Sequence, residues 1–392
     1  MERCTFRSTL FVAGALANKP LNGGEAWVRL TWALGLRRLG FNVHFVEHLA
    51  ADHCVDAGGL PAPPQTSANL AWFKRVTRDF GLQDKATLLL DNGTTLAGRP
   101  REALSEAASD AAALFNISGH LTDPDLLGKI RRKVYVDVDP GFTQLWAAAG
   151  DGNLAGHDDF LTVGTNIGTP GCSIPTLGLP WRPVLPPVLL DHWTPTDPAE
   201  APLRFTTVAR WRSAFGSIEH DGRVLGLKVH EFRRLLELPA RVPVTCELAL
   251  DIDAADQSDL DALRANGWTV VDPRSVARDP FAFRDYVRAS AGELSAAQGV
   301  YVDTRSGWFS DRTAHYLAAA RPAVVQDTGL HGALAPDQGL LSYRTLEHAV
   351  DALTRIASDY PGHCQAARDF AERHLDSDRV LANVLDQLGI EG

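Results

Sequence analysis

The chain has 392 residues, 45% of them hydrophobic, 22% charged, with a formal net charge of −10. That length suits two or three domains with real cores, and the negative balance argues against broad attraction to nucleic acid or to an anionic membrane. No stretch approaches the roughly 20 apolar residues that span a bilayer, so a cytoplasmic protein is expected, and the five cysteines, an odd count with no C-x-x-C pair, read as free thiols.

In chain order, the apolar run 9–14 is a first core strand. A Gly-Gly turn at Gly23 and Gly24 then opens a helix over 24–40, where Trp27, Leu30, Thr31 and Leu34 recur at helical spacing and Gly40 stops it. Further strands are expected at 42–48, 86–91, 112–117 and 133–138. Between Pro180 and Pro202 seven prolines accumulate at the midpoint of the chain, and proline fixes φ and interrupts regular structure. The spacing places a first domain at 1–190, a linker at 191–202 and a second domain at 203–375.

In the second half, strands are expected at 204–209, 242–248, 268–272, 299–303 and 322–327. Helices are expected at 227–238, 260–266, 311–320 and 346–357. Strands alternating with helices in both halves imply α/β domains with parallel sheets and right-handed crossovers.

Two turns draw particular notice. "TRSGWF" (304–309) is expected to follow the strand at 299–303, and "QDTG" (326–329) the strand at 322–327. The carboxyl ends of parallel strands are where open α/β folds place ligands. The first turn leads into a helix N-terminus, which favours an anion. Ser306 and Gly307 would let amides approach a phosphate, Ser310 or Asp311 would cap the helix, and Asp327 would accept bonds from hydroxyls. A phosphate beside a polyol describes a sugar nucleotide. Read blandly, the same residues cap a helix and end a strand.

These residues give the chain a likeness. It resembles the GT-B class of glycosyltransferases, two Rossmann-like domains facing each other across a donor cleft. "LNGGEAWVRLTWALGLRRLGFNVHFVEH" (21–48) looks like the opening of many members. "GWFSDRTAHYLAAARPAVVQDTG" (307–329) looks like their C-terminal donor motif. "RFTTVARW" followed by "LKVHEF" resembles an element whose basic residues hold the donor diphosphate, which points to Arg210 and Lys228. The segment 365–388 fits helices that cross back onto the first domain, so that a terminal helix over about 376–392 would join it. Two departures stand out. A pair of glutamates eight residues apart, common in retaining members, would fall at Gly307 and His315. Of the His-Cys-Gly-Trp-Asn box of many inverting members, only Gly-Trp is kept.

The resemblance implies a glycosyltransferase with a nucleotide-sugar as co-substrate, no other cofactor and no metal. The donor would be held by Gly23, Gly24, Arg210, Lys228, Ser306, Gly307, Trp308, Asp311, Asp327, Thr328 and Gly329. The acceptor would be a soluble small molecule such as a secondary metabolite. His120 in "NISGHLTDP" and Asp139 in "VYVDVDPGF" are rival catalytic bases, each beyond an expected strand end. "DVD" at 137–139 also has the spacing of a metal-binding Asp pair. Glu47 and His48, at another strand end, read as structural. A sugar-nucleotide epimerase and a non-catalytic sugar- or nucleotide-binding module stay open as alternatives. A dinucleotide dehydrogenase does not, because no G-x-G-x-x-G follows any expected strand.

Overall fold

The computed structural model describes residues 7–197, 202–212 and 215–391; residues 198–201 of the expected linker lie outside them. The first domain comprises β1 (Arg7–Ala13), α1 (Gly23–Arg38), β2 (Phe41–Leu49), α2 (Ala68–Asp79), β3 (Ala86–Leu90), β4 (Thr95–Ala97), α3 (Arg101–Ser109), β5 (Ala111–Ile117), α4 (Pro124–Lys129), β6 (Lys133–Asp137), α5 (Phe142–Ala148), β7 (Asp159–Thr162) and β8 (Trp181–Pro183). Its eight strands run in the order β4-β3-β2-β1-β5-β6-β7-β8, parallel except for the β3–β4 pair.

The second domain comprises β9 (Arg204–Arg210), β10 (Ile218–His220), β11 (Arg223–Leu225), α6 (Lys228–Arg233), β12 (Thr245–Asp251), α7 (Gln257–Ala265), β13 (Thr269–Val271), α8 (Pro273–Ala277), α9 (Pro280–Ala289), β14 (Gly292–Ser295), α10 (Gly299–Asp303), α11 (Asp311–Ala318), β15 (Ala323–Gln326), β16 (Leu340–Tyr343), α12 (Leu346–Ser358) and α13 (Tyr360–His374), and α14 (Ser377–Gln387) follows it. Its parallel six-stranded sheet has the order β13-β12-β9-β14-β15-β16, and β10–β11 is a separate antiparallel hairpin.

Each sheet is covered on both faces, which explains why its central strands read as apolar runs rather than alternating ones. Phe11 and Val12 in β1 and Phe205 in β9 are fully buried. The sheet topologies put the first strand of each domain in the middle and reverse direction there. That reversal opens a crevice at the carboxyl ends of the strands.

Two sequence expectations need correction. The segment 299–303 is a short helix, α10, not a strand. The strand that pairs with β9 and β15 is β14, eleven residues upstream of the "TRSGW" turn's first residue in the sense that Glu293 pairs with Thr206 and Ala323. The turn therefore follows a helix. The helix expected over 227–238 is shorter, ending at Arg233 before a 3-10 turn at Leu238–Arg241.

The chain ends on the first domain. Val188 N–H donates to Leu375 O (2.7 Å) and Ser377 N–H to Val188 O (2.9 Å), so the segment after β8 holds the chain where α13 passes into α14. α14 lies on α1, with Leu381 fully buried over Gly35, whose hydrogen leaves the space that a Cβ would deny it. Truncating that contact leaves a cavity that the two helices cannot close. Leu381→Ala should cost about 2–5 kcal/mol, read as a shift of the urea unfolding midpoint; an unchanged midpoint would show that α14 adds nothing to the first domain.

Candidate functional site

Between the two sheets lies a cleft of about 1100 Å³. Its first wall is built by the β1–α1 loop, the N-terminal half of α1, the loop after β2 and the residues beyond β6 and β7. Its second wall comes from the ends of β9, β12 and β13, the start of α6 and the start of α11.

Six of the residues anticipated from sequence share this cleft: Gly24, Asp139, Arg210, Lys228, Trp308 and Asp311. Lys228 opens α6, where its amide donates to Gln298 Oε1 (2.8 Å). Among the described residues its ammonium has neither a hydrogen bond nor an ion pair. Burial, then repulsion by Arg312, pulls its pKa down to about 7. Asp139 accepts from the Tyr301 hydroxyl (3.1 Å), a bond between the domains. Burial raises its pKa, as it does that of Asp311, which is pushed up to about 6. Trp308 stacks on Tyr301 with ring centroids 4.3 Å apart. Arg210 pairs with Asp251 (3.0 Å) at the outer edge.

Four charged residues that sequence reasoning passed over complete the site. Lys19 and Arg29 both pair with Glu25. Burial alone would raise the Glu25 carboxyl, yet these two cations hold it well below the usual range. Arg312, next to Asp311, donates through Nε to the buried Glu293 (2.6 Å), through one terminal nitrogen to Val208 O (2.9 Å) and through the other to Ser295 Oγ (2.5 Å). The Glu25–Arg29 spacing of four residues after the Gly-Gly turn was the available signal for the first group.

The other anticipated residues lie elsewhere, and the two turns are the main correction. All three amides from Ser306 to Trp308 are committed: Ser306 to Tyr301 O (3.1 Å), Gly307 to Thr328 O (2.8 Å) and Trp308 to Ser306 Oγ (3.1 Å). None is left for a phosphate. Instead Asn166 of the first domain enters between the turns. Its Nδ2 donates to Arg305 O and to Gly329 O, both at 2.9 Å, and its amide to Ser306 O (3.0 Å). Gly307 (φ +67) and Gly329 (φ +94) have left-handed backbones, and a Cβ on either would stand within 2.9 Å of Asn166. Small residues occur here because the other domain fills the space.

Asp327 is occupied by Gly329 N–H (2.8 Å) and Arg344 Nε (2.6 Å), and Thr328 Oγ1 by Trp308 O (2.8 Å). None of Ser306, Gly307, Asp327, Thr328 and Gly329 lines the cleft. Gly23 is pressed on the backbone of Asp279, where a Cβ would lie 2.1 Å from the carbonyl oxygen. His120 lies off the wall, and burial plus the charges of Arg29 and Lys19 lower its pKa to about 3. Asp137 of "DVD" is buried under Thr143, Gln144 and Thr162, all donating to it. No group of three or more His, Cys, Asp or Glu positioned for a metal occurs among the described residues. Among these residues no helix is long and apolar enough to cross a membrane.

Solved structures share this architecture along nearly the whole chain. Sucrose-phosphate synthase from Thermosynechococcus elongatus is 12% identical, covering 97% of this chain and 99% of its own, with a TM-score of 0.54. HepE from Anabaena, in complex with UDP-glucose, is 9% identical over 98% and 100%, with a TM-score of 0.57. AviGT4, a glycosyltransferase involved in avilamycin A biosynthesis, is 12% identical over 97% of each chain, with a TM-score of 0.55. The fold is GT-B. No family model matches the sequence, and no curated protein matches it either. In this GT-B chain the two domains touch on both sides of the cleft: at Asn166, and where Trp27 Nε1 donates to Pro280 O (2.8 Å).

The turn at Gly307 is therefore a joint. Gly307→Ala should lower stability by at least about 1–2 kcal/mol from left-handed strain, with Thr165 Oγ1 2.4 Å from the new Cβ adding to it. Calorimetric unfolding reads the loss. Undiminished stability together with lost anion binding would return this turn to the ligand.

Proposed function

We propose that the chain is a glycosyltransferase that moves a sugar from a nucleotide-sugar donor to an acceptor held in the cleft. The observation that carries this reading is the unpaired ammonium of Lys228, facing the cavity of a GT-B fold between Arg312, Arg210 and Asp139. A buried cation without a partner is costly, and an anion from solution would supply the partner. Likeness to structures solved with UDP and UDP-glucose supports a nucleoside diphosphate as that anion.

Each residue then has a task. As the bond to the diphosphate breaks, Lys228 neutralises the charge that develops on the leaving oxygen, and Arg210 at the rim balances the outer phosphate or the nucleoside. Arg312 shapes this position from below: its guanidinium is pinned at three points, and its charge adds to burial in lowering the Lys228 pKa to about 7, so that a bound anion favours the protonated amine. Asp139, on the opposite wall, is the base for the acceptor hydroxyl. It is favoured over His120 because it lines the cleft and because burial has raised its basicity. Tyr301 holds it by a single bond, leaving one oxygen for substrate. The first domain presents the acceptor, a soluble small molecule, and the second the donor.

Two measurements test this. Lys228 titrates near 7 in the free protein against the usual 10.5, so its contribution to the ligand-free fold is fully present at high pH and is lost as pH falls through about 7. A diphosphate reverses the preference and draws a proton onto the amine. Nucleoside diphosphate affinity should fall as pH rises above 7, with net proton uptake on binding seen by calorimetry in buffers of different ionisation enthalpy. Lys228→Met should weaken binding by about 10- to 100-fold, one charge-assisted bond, and abolish the uptake. Binding that is independent of pH and of Lys228 would contradict the assignment.

The second concerns the base. Asp139→Asn should lower kcat by about 10²- to 10⁴-fold with the nucleoside diphosphate bound as before, whereas His120→Gln should retain most activity. The reverse ranking would make His120 the base.

A further inference from the structure

Glu47 takes no part in the chemistry above, yet it is a carboxylate buried to 1% exposure beneath the cleft wall. Among the described residues it forms no ion pair. Its two oxygens accept from consecutive backbone amides: Oε2 from Ala17 N–H (2.5 Å) and Oε1 from Asn18 N–H (2.7 Å). Those amides belong to the β1–α1 loop, whose next residues, Lys19 to Asn22, form the rim of the cleft. Lys19 carries the ion pair to Glu25, and Asn22 caps α1 by accepting from Glu25 N–H (3.2 Å). Leu21 between them is held at φ +59, a left-handed backbone that a leucine avoids unless its neighbours impose it.

Two other buried side chains hold the same loop from α2. Asn69 Nδ2 donates to Ala17 O (2.8 Å) and Trp72 Nε1 to Leu16 O (3.0 Å). These neutral donors grip carbonyls, whereas Glu47 grips two consecutive amides with one carboxyl group.

We infer that Glu47 is a positioning residue for transfer, fixing the β1–α1 loop so that Lys19 and Asn22 stand at the cleft. This rests on the glycosyltransferase reading for its functional half, while the structural half stands on the hydrogen bonds alone. Burial raises the Glu47 carboxyl to about 7, against the pull of the Ala17, Asn18 and Leu16 amides and of Arg29. A titratable carboxyl thus sits at a depth where an apolar residue would be easier to bury, held there by its two backbone hydrogen bonds.

Glu47→Gln is the test. It keeps shape and removes the buried charge, so the fold survives, but its amide nitrogen must face one of the two N–H groups. Hydrogen exchange of the peptide spanning 14–22 should accelerate about 10- to 100-fold, with exchange in β1 and β2 unchanged. KM for the acceptor should rise by a similar factor, kcat should change less, and nucleoside diphosphate affinity should stay put. Glu47→Asp, which retains charge but is one methylene short, should lie between wild type and Glu47→Gln. Wild-type exchange in this peptide would overturn the latch. Accelerated exchange with untouched kinetics would overturn its link to transfer. Absence of transfer by the wild-type protein would sink the glycosyltransferase reading while leaving the exchange result to judge the latch.

Discussion

The joint between the two domains is centred on the side chain of Asn166. Asn166 reaches out of the first domain and gives both hydrogens of its carboxamide to carbonyls of the second, at Arg305 and Gly329. Backbone carbonyls have no rotamers, so this contact fixes position more tightly than an exchange between two flexible side chains would. Gly307 and Gly329 adopt left-handed conformations to admit it. Because Trp308 follows Gly307 directly, the joint also sets where its ring stands over Tyr301, and Tyr301 in turn holds Asp139. A contact made for assembly thereby aims the candidate base.

The cleft's electrostatics follow from a second buried arrangement. Glu293 sits in the middle of the second sheet, fully buried, and is matched by Arg312 at the start of α11. A lone charge there would be prohibitive, and the pair is retained because the guanidinium also satisfies Val208 O and Ser295 Oγ. The consequence is a fixed positive charge under the cleft floor. Together with burial, the larger cause, it lowers the Lys228 pKa to about 7 in the empty protein, and an entering anion favours the protonated form. On the facing wall the Lys19–Glu25–Arg29 cluster leaves one net positive charge, and burial shifts the carboxyls of Asp139 there and of Asp311 on the second wall toward neutrality. The chain's overall negative charge therefore does not describe its cleft.

Much of this was legible in the sequence, and the exceptions are instructive. Alternating elements announced two α/β domains because parallel strands buried on both faces leave apolar runs. The resemblance of "LKVHEF" to a donor-binding element pointed to Lys228, and the structure places that residue in the cleft wall at the start of α6. The strand Gly292–Ser295 was hidden by its own Glu293, whose partner Arg312 is nineteen residues away. With that strand overlooked, Val300-Tyr301-Val302 took its place on β propensity alone. Its short helix forms because tertiary packing overrides propensity, Val300 and Tyr301 filling the seam beside Phe142. The turns at 304–309 and 326–329 were read as phosphate and polyol sites, and the structure shows instead that bulk is excluded there. The sequence could not say that the excluded bulk was Asn166 rather than a phosphate, since both demand glycine at positive φ.

The Lys228 site and the Gly307 joint divide the labour between ligand and assembly. A crystal structure with a nucleoside diphosphate bound tests this most directly. Phosphate oxygens are expected within hydrogen-bond distance of the Lys228 ammonium, with Asn166 still bonded to Arg305 O and Gly329 O. Phosphates resting on the amides of Ser306 and Gly307, with Asn166 displaced, would contradict it.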